Sequence, residues 1–83
     1  MAATPWRGAL GERVRATRVE RGWSMRMVSM KSRVPESTWR RLEAGEAVSD
    51  AALIGVSDAL GWPQGQCFRI IANELDDAER RGD

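Results

Sequence analysis

The sequence predicts an all-α protein of five short helices, and three observations predict it. Apolar residues recur at three- and four-residue spacing in segment after segment, which is the helical period. Each such segment is bounded by a capping serine, a proline or a glycine. The alternating apolar and polar runs that mark strands are nearly absent.

The first helix is expected over 8–21, "GALGERVRATRVER", where Leu10, Val14 and Thr17 form one stripe and Gly22 follows as a stop. Ser24 is a natural N-cap for a second helix from Met25 to Lys31 or Ser32. Pro35 rules out a continuous helix through "SMRMVSMKSRVPESTWRRLEAG", because it lacks a donor and clashes with the preceding turn. At a helix start it is comfortable. A third helix therefore runs from about Glu36 to Glu43 or Ala44, before Gly45. Ser49 or Asp50 caps a fourth, with Leu53, Val56 and Leu60 inward and Gly61 as its stop. The fifth spans roughly Gln66 to Glu79, with Phe68, Ile71 and Leu75 expected on its buried side and a polar tail over 76–83.

Eighty-three residues make one domain, 1–83, whose small core must be compact. With 42% hydrophobic and 30% charged residues the chain reads as soluble and globular. Its start, "MAATPWRGALGERV", has no apolar run of signal or membrane-spanning length, so a cytoplasmic location is expected. Catalysis is poorly provided for. There is no histidine and no tyrosine, and the single cysteine, Cys67, has no partner for a disulfide, a usual zinc site or a Cys–His dyad. "GALGERV" is no phosphate-binding loop, and Asp76 and Asp77 read as solvated acids. The expectation is a non-enzyme without metal or cofactor.

The net charge of +1 hides a division. Residues 1–41 hold ten cations against three anions, a net +7, and residues 42–83 hold three cations against nine anions, a net −6. Such asymmetry suits a basic face with a fixed orientation on nucleic acid, although two solvated faces would give the same count.

The second helix, a tight turn and the third helix make a helix-turn-helix over 24–44. Here the sequence resembles the small domains of the lambdoid phage repressors, the Cro proteins and their bacterial relatives, the Cro/C1-type or XRE class. The resemblance covers residues 10–71, about three quarters of the chain. It rests on "RVERGWS" at 18–24, Val28 and Ser29 after the cap, Val34 after the turn, "STWRRLEAG" at 37–45 and "ALG" at 59–61. It implies a lambda-repressor-like fold, a DNA-binding transcriptional regulator, and an ion pair between Arg18 and Glu43 that orients the third helix. It also exposes departures. Met25 stands where relatives often carry a phosphate-binding glutamine, Arg33 where the turn usually has glycine, and Glu46 and Asp50 lie in a loop that is often basic.

The residues alone give the same division of labour. Relative to Glu36, a helical wheel puts Ser37, Arg40, Arg41 and Ala44 at about 100°, 40°, 140° and 80°, and Thr38, Trp39 and Leu42 on the opposite side. The first face is basic and short-chained at its start, as a reader of the major groove of double-stranded DNA requires, so Glu36, Ser37, Arg40 and Arg41 are the expected base-reading residues. The second face, including Trp39, is expected in the core. Ser24, Arg26, Lys31 and Arg33 are expected to bind phosphates, helped by helix N-termini. A phage or mobile-element repressor is the leading reading. A protein-interaction module on the same fold, antitoxin-like or antirepressor, is the alternative, with Met25, Met27 and Met30 as a patch for a protein partner. A membrane-surface role for 7–26 is disfavoured because Arg7, Arg13, Arg15, Arg18 and Arg21 spread around the helix. A monomer is expected in isolation, with room for weak self-association or pairing on DNA.

Overall fold

The computed structural model describes residues 8–63 and 65–81, with side chains described through residue 73. Five helices follow one another: α1 (Gly8–Glu20), α2 (Met25–Ser32), α3 (Glu36–Glu43), α4 (Asp50–Leu60) and α5 (Gln66–Arg81). No strand occurs among the described residues. None of their helices is long and apolar enough to cross a membrane.

The helix boundaries follow local chemistry. Ser24 Oγ accepts the Met27 N–H and Ser49 Oγ accepts the Ala52 N–H, so each satisfies a donor that the first turn of its helix leaves unpaired. At the end of α1 the chain turns through Gly22 at φ 70°, where the Gly22 and Trp23 N–H groups close on the Val19 and Arg18 carbonyls. Arg33 makes the equivalent turn after α2 at φ 62°, ψ 22°, its N–H donating to Ser29 O at 2.8 Å. A left-handed conformation costs a non-glycine residue about 1–2 kcal/mol. Pro35 is the N-cap of α3 and supplies no side-chain cap.

The core is built from Leu10 and Val14 of α1, Val28 of α2, Trp39 and Leu42 of α3, and Leu53, Val56 and Leu60 of α4, all fully or almost fully buried. Val34 and Val48 close it from the two loops.

On α5 the buried face differs from the expected one. Phe68 is 41% exposed, whereas Cys67, Ile70 and Ile71 are buried. Cys67 Sγ lies 3.1 Å from Ser57 Oγ of α4, and these small side chains let the two helices approach where a phenylalanine ring would not fit. The core thus consumes Cys67 and Ile70 and leaves Phe68 outside. Leu75 and the acidic tail side chains lie outside the described residues. The helix itself continues to Arg81, past the expected end near Glu79.

Candidate nucleic-acid interface

α3 is only eight residues long, so its position depends on what it packs against. Trp39 and Leu42 are fully buried. The Trp39 indole N–H donates to Ser32 Oγ at 2.9 Å. The same oxygen accepts the Val34 N–H at 3.1 Å and donates to the Val28 carbonyl at 2.7 Å. Ser32 therefore pins the end of α2, the turn and α3 to one atom. Sequence reading placed Trp39 in the core but missed this partner. The available signal was the indole itself, since a buried Trp N–H needs an acceptor.

At the other end of α3, Arg18 Nε and Nη2 donate to Glu43 Oε2 and Oε1 at 2.7 and 3.1 Å, and Arg18 Nη1 donates to the Trp23 carbonyl at 2.9 Å. The pair is largely enclosed, with side-chain exposures of 15% and 8%. Hydrogen bonding to Glu43 raises the Arg18 pKa against the opposing effect of burial. α1 approaches closely here. A Cβ at Gly11 would stand 2.5 Å from the Leu42 carbonyl oxygen. Gly11 was also missed, although a glycine inside a helix pattern signals a close backbone approach when it is not a cap.

With its back held, α3 turns Ser37, Arg40 and Arg41 outward and leaves Glu36 half-buried. Arg40 Nη2 lies 3.2 Å from Glu36 Oε1, an exposed pair one helical turn apart. Arg41 folds back towards the next loop, donating to the Ala47 carbonyl at 3.0 Å and lying 3.4 Å from Glu46 Oε1. Arg41 and Arg33 border one open cleft of about 500 Å³ between the turn and the α3–α4 loop. On α2, Ser24 and Arg26 are exposed at the N-terminal end. Lys31 Nζ sits 4.8 Å from the centre of the Trp23 ring, and Arg21 Cζ sits 4.9 Å from it. The three methionines divide. Met25 is partly buried against the core and drops out of the proposed patch, whereas Met27 and Met30 are exposed. No cluster of three metal-ligating side chains occurs among the described residues.

A family model described as "Helix-turn-helix domain" matches residues 9–66. The chain belongs to this helix-turn-helix family. No curated protein and no solved structure matches it. Within the helix-turn-helix domain, the matched segment takes in α1 to α4 and the loop to α5, and with them both anchors of α3. Membership points to a DNA-binding regulator in general terms.

Proposed function

We propose that the protein is a sequence-specific regulator of transcription that inserts α3 into the major groove of double-stranded DNA. The observation that carries this reading is the asymmetry of α3: Trp39 and Leu42 are fully buried, and Ser37, Arg40 and Arg41 stand on the opposite, exposed face. In this reading Arg41 and Ser37 read base edges, with Arg40 and Glu36 beside them. A guanidinium fork matches guanine O6 and N7, a short serine allows close approach, and a carboxylate accepts from cytosine N4. Ser24, Arg26, Lys31 and Arg33 hold phosphates, and the first turns of α2 and α3 supply backbone donors. α3 suits this because Pro35 leaves its first turn without a side-chain cap.

The likeness of the register to the Cro/C1 class favours a repressor of phage or mobile-element type, acting in the cytoplasm without catalysis or cofactor. Binding to DNA selected from a random pool tests it. Arg41→Ala should weaken binding to the best site by about 1–3 kcal/mol and relax preference at one base position. The log–log salt slope should be about −0.9 per phosphate neutralised. Unchanged affinity and preference in Arg41→Ala and Ser37→Ala would sink the assignment. A salt slope near zero would favour the protein-interaction reading, which the exposure of Met27 and Met30 supports.

A further inference from the structure

Five large apolar side chains are exposed among the described residues, and four of them fall into two patches. Single exposed apolar residues are ordinary, but paired ones with matching surroundings call for a reason. The first patch is the outer stripe of α2. Val28 points into the core, and at about 100° per residue Arg26, Met30, Met27 and Lys31 follow one another around the helix at about 160°, 200°, 260° and 300° from it, so the two methionines lie between the two cations. Met30 is 72% exposed and Met27 41%. These are unbranched, adaptable side chains that stand proud of a basic surface.

The second patch lies between α4 and α5. Ile54, 52% exposed, and Phe68, 41% exposed, flank a hollow of about 310 Å³ that Ser57, Gly65 and Asp58 complete. Asp50 and Asp58 stand one turn to either side of Ile54 on the same helix face, and both are exposed. One patch is therefore an apolar knob with basic flanks, and the other an apolar socket with acidic flanks. They sit on the two halves of the chain that carry +7 and −6.

We propose that the two patches are the halves of one contact between copies of this chain. Met30, with Met27 beside it, seats in the Ile54–Phe68 hollow of a second copy, and Arg26 and Lys31 face Asp50 and Asp58. The occupant is a second copy because a single chain presents both an exposed methionine pair with basic flanks and an apolar hollow with acidic flanks. Sulfur against the Phe68 ring adds a favourable contact of a kind common for methionine. Knob and socket are different surfaces, so the contact is head-to-tail and each bound copy leaves one of each free. Two apolar side chains on either side fall well short of the roughly 800 Å² per partner of a stable dimer. The contact is accordingly weak, absent at micromolar concentration and populated towards millimolar. On the proposed function Arg26 and Lys31 also hold phosphates, so DNA and a second copy compete for these two cations and DNA should weaken the contact.

Sedimentation equilibrium of the free protein tests the contact without DNA. From micromolar to millimolar concentration the average mass should climb above the 9.2 kDa of one chain, and less steeply in high salt. Met30→Asp and Phe68→Asp, each with the wild-type helix signal, should both remain single chains. Their equimolar mixture should regain association and stop at two chains, because one variant keeps the socket and the other keeps the knob. Should Phe68→Asp fail to fold, Asp58→Lys on the surface takes its place and should weaken the contact. A wild type that stays monomeric at millimolar concentration overturns the proposal. So does association that Met30→Asp leaves intact, which would indicate a symmetric contact through α5, or a mixture that stays monomeric.

Discussion

Replacing Ser32 by alanine tests how the turn between α2 and α3 is held. The Ser32 hydroxyl makes three hydrogen bonds, and they are not equal. Losing the donation to the Val28 carbonyl costs little, since that carbonyl lies in the ladder of α2 and keeps its helical partner. The other two bonds leave donors behind. The Trp39 indole N–H belongs to a fully buried side chain, and the Val34 N–H to a residue 6% exposed. A buried donor left unsatisfied costs about 1–3 kcal/mol. The open cleft reaches Ser32 and Val34, so water can relieve part of the second loss. Ser32→Ala should therefore destabilise the fold by about 2–3 kcal/mol, a large share of what a domain of this size possesses.

Urea unfolding followed by helix circular dichroism measures that loss. A double-mutant cycle with Trp39→Phe assigns it, because phenylalanine fills much of the same space and has no donor to strand. In the Trp39→Phe background Ser32→Ala should cost about 1–2 kcal/mol less than in the wild type. A change below about 0.5 kcal/mol, the ordinary range for a surface substitution, would show that the hydroxyl does not pin the turn. Equal costs in the two backgrounds would show that Trp39 does not depend on it.

Three further outcomes follow from the geometry. Glu46→Gln removes the carboxylate that draws Arg41 back towards the loop and that would repel phosphate, so DNA affinity should rise by about 2- to 5-fold, the scale of an exposed ion pair; weaker binding would contradict the proposed role of Arg41. Gly11→Ala should lower thermal stability by about 1–3 kcal/mol despite alanine's better helix propensity, because its Cβ would press on the Leu42 and Glu43 carbonyl oxygens; a gain in stability would mean that α1 and α3 are less tightly apposed. Burial pushes the Cys67 thiol pKa up, opposed by its contact with Ser57, so the thiol should resist alkylation until the protein unfolds; its contribution to stability is complete below the pKa of the unfolded thiol and is lost as pH rises through the folded value, so alkaline titration of urea stability should show a decline there and no gain.

Much of this architecture is legible in the sequence because helix ends are decided locally. A serine that accepts from its own first turn, as Ser24 and Ser49 do, or a glycine at positive φ, as Gly22 and Gly61 are, involves a handful of consecutive residues. Pro35 divides α2 from α3 by the same local rule. The buried face of α5 is another matter. Phe68, Ile71 and Leu75 make as good a helical stripe as Cys67, Ile70 and Ile71, and what selects between them is the approach of Ser57 from α4. Side-chain partners across elements were equally hidden. Ser32 lies seven residues from Trp39, and periodicity assigns a face to each without saying that the two meet. The exposed face of α3 could be read from a wheel, but the withdrawal of Arg41 to Glu46 and Ala47 depends on the path of the next loop.

What fixes α3 is directional contact at both ends more than burial in its middle. Near its start, Trp39 is tied to the last residue of α2 through Ser32. At its end, Arg18 spans both oxygens of Glu43 and, with its third bond, the carbonyl of Trp23 just before α2 begins. A largely enclosed ion pair stabilises little compared with apolar residues of the same volume, since desolvation offsets most of the attraction. Its effect here is geometric. One planar guanidinium sets the distance between the entry to α2, where a phosphate is proposed to bind, and the exit of α3, whose outer face is proposed to meet the bases. Leu and Met in place of the pair would fill the volume and leave that distance to slide. Reading a base edge requires a side chain to be held to within about 0.5 Å of its productive position. An eight-residue helix on a greased contact alone would not meet that demand, so Arg18, on a helix that touches no base in this scheme, acts as the part that sets the register between backbone and groove.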